Sequence, residues 1–105
     1  MKIVERKKTM GKDDIVLSLC RFKEMNRTKY EIVRIGIFGS AARDDMKEKS
    51  DIDVVVELER QDLFYLIGIK QDIEEQFSKP VDIISYRKKM NPFLKKRVDK
   101  EAVYV

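Results

Sequence analysis

The chain has 105 residues, of which 43% are hydrophobic and 40% charged, and its formal net charge is +4. That length fits one small domain with a single core. With no histidine and one cysteine, Cys20, the sequence excludes Ser-His-Asp and Cys-His catalysis, histidine zinc sites and any intramolecular disulfide. The mild positive charge suits a triphosphate, an acidic partner or loose nucleic-acid contact, and selects none of them.

Residues 1–11 read as a flexible basic lead-in punctuated by Gly11, without the apolar run of a signal peptide. No segment approaches the ~20 apolar residues of a membrane span, so a cytoplasmic location without membrane contact is expected. Asp13 and Asp14 then stand at the favourable end of a helix dipole, and Ile15, Leu19 and Phe22 recur at helical spacing. This helix is expected to fade near Asn26, with Cys20 as a small core residue.

A strand is predicted over 32–38, where Val33, Ile35 and Ile37 alternate with Ile32, Gly36 and Phe38; apolar residues on both faces suit an interior strand. It ends in Gly39-Ser40-Ala41-Ala42-Arg43, a tight turn able to start a short helix. Residues 44–50 read as an exposed loop, and 52–58 as a second strand. Asp62 is the expected N-cap of a helix carrying Leu63, Leu66, Ile67, Ile73 and Phe77, in which Gly68 costs about 1 kcal/mol. Lys79-Pro80 ends it, a third strand covers 81–84, and Asn91-Pro92 opens a short helix through Leu94 and Val98. Residues 102–105 add a brief edge strand. The order predicts an α/β class, a small sheet packed by helices.

The chemistry concentrates in Gly39-Ser40, ten intervening residues, and Asp51-Ile52-Asp53. Residues two apart in a strand share a face, about 7 Å apart, so Asp51 and Asp53 project together. Burying two unpaired like charges is costly, and a cation between them removes the conflict. Ligation by carboxylate oxygen favours a hard ion such as Mg²⁺, completed by water and substrate phosphate. Backbone N–H groups at the helix start after Gly39, with the Ser40 hydroxyl, offer the place for that phosphate.

These residues resemble the minimal nucleotidyltransferases, small members of the DNA polymerase β-like superfamily that include the MntA-type antitoxins. The matching positions are Gly39, Ser40, Ala42, Arg43, Ser50, Asp51, Ile52 and Asp53, and Asp82 in Pro80-Val81-Asp82-Ile83-Ile84 matches the family's third carboxylate. The resemblance runs from about Lys12 to the C-terminus, which assigns 12–105 to one nucleotidyltransferase domain. It implies the polymerase β-like fold, with a small mixed sheet flanked by helices. It further implies two Mg²⁺ ions held by Asp51, Asp53 and Asp82, with ATP as substrate. Asp82 would also be the general base, Gly39 and Ser40 would hold the terminal phosphates, and Arg43 would touch phosphate or nucleobase. The reaction implied is transfer of AMP to a hydroxyl.

Larger relatives carry an extra domain that completes the acceptor pocket. A chain of this size leaves that to a second protein or a second copy of itself, as a homo-oligomer. The family implies a HEPN-domain ribonuclease toxin, silenced by adenylylation of a tyrosine.

Asp44 stands where the family has glycine, and Asp45 follows; two acids near a triphosphate would weaken its attraction, with Lys47 and Lys49 partly offsetting them. The alternative is therefore a catalytically weak module that neutralises a partner by contact alone. Ser50 is expected to shape the turn before Asp51. The basic stretches Tyr86-Arg87-Lys88-Lys89 and Lys95-Lys96-Arg97 are either solvated faces or a docking surface for an acidic partner or nucleic acid, with Tyr86 available for stacking. No aromatic pattern of a dedicated RNA-binding module is present, and nucleic acid is not expected as substrate.

Overall fold

The computed structural model describes residues 11–47 and 49–105; the basic lead-in expected over 1–11 lies, except for Gly11, outside them. The first helix, α1 (Lys12–Tyr30), runs past Asn26. Instead of stopping the helix, Asn26 donates its side-chain amide to the Phe22 carbonyl one turn back, at 3.0 Å. The end is set by Glu31 in the left-handed region (φ 55°), whose N–H donates to the Arg27 and Thr28 carbonyls.

The remaining elements are β1 (Ile32–Phe38), α2 (Ser40–Arg43), β2 (Ile52–Leu58), α3 (Leu63–Phe77), β3 (Val81–Ser85), α4 (Pro92–Glu101) and β4 (Val103–Tyr104). Both predicted caps form. The Asp62 carboxylate accepts from the Phe64 and Tyr65 amides, and the Asn91 side chain accepts from Phe93 and Leu94, with Pro92 at the first helical position. The sheet order is β3-β2-β1-β4, with β1 antiparallel to both β2 and β4, and β2 parallel to β3. The sheet is therefore mixed.

Strand alternation divides the sheet's two faces. Ile35, Ile37, Val54, Val56 and Val81 form the main core with Ile15, Leu19 and Phe22 of α1 and Ile69, Ile73 and Phe77 of α3. On the opposite face Phe38 and Val55 pack with Val98 and Leu94 of α4, beside Ile84 and Tyr104. Asp53 lies between Ile52 and Val54, and Asp82 between Val81 and Ile83. The period of two therefore sends both carboxylates to the α4 face. Cys20 departs from its expected place in the core. It is only half-buried and lines a surface hollow of about 270 Å³ with Lys23, Glu24 and Arg27, because the buried stripe of α1 runs through positions 15, 19 and 22.

Gly68 is explained by Tyr30. A Cβ at Gly68 would lie 2.8 Å from the phenolic oxygen of Tyr30, so the missing side chain makes room for that ring. Tyr30 is buried, packs edge-on against Tyr65 at 5.8 Å and donates its hydroxyl to Asp72 at 2.7 Å. Burial, followed by the hydrogen bond to Asp72 and that residue's charge, pushes the phenol up to about 12. The unfolded chain releases this proton near 10.0, so Tyr30 contributes its full stability below that pH and loses it progressively as pH rises to about 12. Tyr30→Phe is expected to cost about 1 kcal/mol at pH 7 through loss of the hydrogen bond. Urea denaturation at pH 7 and pH 11 checks this: the deficit of the variant should shrink at the higher pH.

Candidate active site

The antiparallel β1–β2 pairing brings the end of one strand to the beginning of the other, and the parallel β2–β3 pairing lays two strand starts side by side. Phe38 is thus opposite Asp53, and Asp53 is opposite Asp82. One bond joins the start of β2 to the residue before β3, and a second ties the start of β3 to α3. The Ile52 amide donates to the Pro80 carbonyl at 3.1 Å, and the Val81 amide donates to the Glu74 carboxylate at 3.0 Å. Asp51 lies just before β2, two residues from Asp53. Asp51 and Asp82 are exposed, whereas Asp53 is partly buried. Burial, and then the negative charge of Asp82, push the Asp53 carboxyl up; the Arg97 guanidinium opposes this, Asp51 adds to it and Arg43 opposes it. Repulsion and desolvation win over both arginines.

Gly39 is buried and has φ 69° and ψ −144°, a region that side chains other than glycine rarely enter. A Cβ there would also run into Oδ2 of Asp53. Glycine is therefore needed twice, for the turn and for room beside the carboxylate. The turn opens α2, a single helical turn in which the Arg43 amide donates to the Gly39 carbonyl at 3.1 Å. The first N–H groups of a helical turn have no acceptor within the helix, which is why such turns can take an anion.

Asp44 is in the left-handed conformation (φ 61°), which aspartate enters more readily than most residues. Its carboxylate accepts the Lys12 amide at 2.9 Å, so the charge caps the start of α1 and complements that helix's dipole. Asp45 approaches Nε of Arg43 at 3.5 Å. Asp44→Gly is expected to leave ATP affinity within about twofold and to change stability by about 1 kcal/mol or less, since relief of left-handed strain offsets the lost cap. Calorimetric titration with ATP and a thermal melt check both values.

Two arginines from different elements meet one carboxylate beside the acids. Nη1 of Arg43 and Nε of Arg97 each lie 3.6 Å from Oε1 of Glu101, and the Arg97 guanidinium lies over the Phe38 ring at 5.6 Å. In the sequence, Arg97 stands out only as part of a basic run; its spacing of four from Glu101 is the one local signal of a role. Tyr86 is not available for stacking. Its hydroxyl donates to Asp99 at 2.8 Å, and its ring takes Arg34 at 4.9 Å and Lys95 at 5.4 Å. Ser50 shapes its turn as expected, its hydroxyl accepting the Lys47 amide at 2.9 Å.

Among the described residues no three acidic side chains close into a ligand cage. Asp53 and Asp82 stand opposite each other on neighbouring strands, with exposed Asp51 two residues before Asp53, on an open side of the sheet. The groove of about 530 Å³ lined by Ser18, Phe22, Asp72 and Gln76 lies between α1 and α3, which pack on the other face of the sheet.

The mixed sheet with its flanking helices is that of a nucleotidyltransferase. Residues 19–105 match the nucleotidyltransferase domain family. Over 78 residues the chain is 44% identical to MJ0435 of Methanocaldococcus jannaschii, named as a candidate protein adenylyltransferase, covering 73% of this chain and 83% of that protein. It is 30% identical over 94 residues to the protein adenylyltransferase MntA of Thermococcus cleftensis, covering 89% and 94%. A solved structure described as a candidate minimal nucleotidyltransferase superposes with a TM-score of 0.75 at 26% identity, over 92% of this chain and 98% of that one. A likeness of fold extends to a complex of a tri-AMPylated Shewanella oneidensis HEPN toxin with MNT antitoxin, with TM-score 0.63 and 18% identity over 86% of this chain and 70% of that one. The chain belongs to the minimal nucleotidyltransferase family and is an enzyme of that type.

Proposed function

We propose that the protein transfers AMP from ATP to a tyrosine hydroxyl of a HEPN-type toxin, and so acts as its antitoxin. The observation that carries this reading is the acidic group Asp51, Asp53 and Asp82 beside the Gly39-Ser40 turn, with Asp53 across from Asp82 and against Gly39. The relatives named protein adenylyltransferases support the transfer, and the similarity of fold to a HEPN-toxin complex supports the acceptor.

The group suits Mg²⁺: its donors are all hard oxygens, its like charges are crowded, and its open side leaves coordination sites for water and phosphate. Asp51, Asp53 and Asp82 would hold the ion, which when bound neutralises the triphosphate and the charge developing on the entering and departing oxygens. The α2 N–H groups and the Ser40 hydroxyl bind phosphate oxygens and orient the triphosphate. The exposed carboxylate of Asp82 takes the acceptor's proton as the new O–P bond forms at the α-phosphorus. The bond from that phosphorus to the bridging oxygen breaks, and pyrophosphate leaves.

A macromolecular acceptor fits the open face. Phe93, 85% exposed, lies one helical turn before Arg97 on the same side of α4 and offers it an apolar contact. Co-expression with a HEPN-like neighbour tests the proposal: the partner's intact mass should gain AMP on a tyrosine with the wild type and not with Asp82→Asn. Neutralisation of an unmodified partner by the Asp51→Asn/Asp53→Asn variant would instead support the contact-only module. The capping role of Asp44 weighs against that alternative, because this acid is occupied at α1.

A further inference from the structure

We propose that Arg97 and Arg43, held together by Glu101, form an arginine pair that binds the polyphosphate of a nucleoside polyphosphate at the edge of the acidic group. The inference rests on the nucleotidyl-transfer reading and adds to it a residue, Arg97, outside the Gly-Ser and Asp-x-Asp segments.

Three observations carry it. Oε1 of Glu101 is buried and makes no hydrogen bond, although both guanidinium groups lie 3.6 Å away. At that distance it attracts both groups without saturating their N–H forks. Counted with Asp45, two guanidiniums face two carboxylates and the cluster is neutral in formal charge; what remains free is donor capacity, since neither contact to Glu101 is a hydrogen bond. Exposed Asp45 meets only Arg43, at 3.5 Å, so among these pairs Arg97 depends on half of Glu101.

Position and access complete the case. Arg97 lies over Phe38, the residue opposite Asp53 in the β1–β2 register. Arg43 closes the turn that begins at Ser40. Both arginine side chains remain 51% exposed, open to a ligand. A planar guanidinium fork matches phosphate oxygens two at a time, and two forks flanking one carboxylate suit a chain of phosphates better than a single one.

The test titrates ATP, AMP and inorganic tripolyphosphate, in Mg²⁺, into wild type, Arg97→Gln and Arg97→Lys, with a thermal melt of each. Arg97→Gln should weaken ATP and tripolyphosphate about tenfold or more and AMP less than twofold, with Arg97→Lys recovering part of the loss. Equal weakening of all three ligands, or no weakening, overturns the pair while leaving nucleotidyl transfer intact. A wild type that binds none of the three overturns both readings. Should Arg97→Gln melt early, Glu101→Gln decides. With the carboxylate that holds the two arginines together neutralised, tripolyphosphate binding should weaken with AMP unchanged; unchanged or tighter tripolyphosphate binding overturns the pair.

Discussion

Asp53→Asn is expected to lower nucleotidyl transfer by about a thousandfold or more while raising the melting temperature. The loss follows from removing a charge that the proposed metal site needs, where several kcal/mol of transition-state stabilisation are at stake and each 1.36 kcal/mol is tenfold in rate. The gain follows from the environment of the carboxylate in the folded protein. Asp53 is partly buried and faces Asp82 across the strand pair, with Asp51 two residues away, and Arg97 and Arg43 do not fully compensate. Asparagine keeps the shape beside Gly39 and drops the charge. A rise of about 2–5 °C is the expected size for a domain of this length. It should be present at neutral pH and vanish in acid, where the wild-type carboxyl is itself protonated; because its folded pKa is raised, ionisation costs the fold stability as pH climbs through that value. Added Mg²⁺ should raise the wild-type melting temperature and leave the variant's almost unmoved. A variant that melts earlier than wild type at neutral pH would contradict this account of Asp53.

Gly39→Ala is expected to damage both stability and activity. The residue's φ of 69° with ψ of −144° costs a side-chain-bearing residue about 1–3 kcal/mol. The added methyl would also displace Oδ2 of Asp53 or move the turn. A total loss of about 2–4 kcal/mol in urea denaturation is expected. Activity should fall about a hundredfold beyond any loss of folded protein, because displacing Asp53 or Ser40 by about 1 Å misaligns the reacting groups. Ser40→Ala keeps the backbone turn and should show the smaller effect of one lost hydrogen bond. Comparable damage from both variants would mean that the hydroxyl matters more than the turn.

Most element boundaries were readable because their determinants are local. The spans 32–38 and 52–58 are set by β-branched runs, and Asp62 and Asn91 announce their helices through short side-chain bonds to amides two and three residues ahead. The expectation that Asp51 and Asp53 project together rests on the strand period, but β2 begins at Ile52 and Asp51 stands just before it; Asp82 was picked out by the family resemblance, and its place beside Asp53 comes from the parallel β2–β3 register. What escaped the sequence depends on contacts between distant segments. The bond from the Lys12 amide to Asp44 spans 32 positions, so an acid expected to repel substrate is in fact a cap for α1. Arg43 meets Glu101 only because α4 crosses the face that carries the acids, and the same crossing turns Arg97 from one of a basic run into a neighbour of Asp53. Tyr86 read as available because Asp99, Arg34 and Lys95 reach it from α4 and β1. Asn26 misled for a local reason: an asparagine that breaks many helices here bonds back to its own helix.

The most direct measurement incubates the purified protein and Mg²⁺ with a HEPN-type partner and ATP labelled at either the α- or the γ-phosphate. The Asp51→Asn/Asp53→Asn variant serves as control. AMP transfer predicts label on the partner from α-labelled ATP alone, with release of pyrophosphate and no signal from the variant. Label arriving from the γ-phosphate, or a partner neutralised without label by wild type and variant alike, would contradict it.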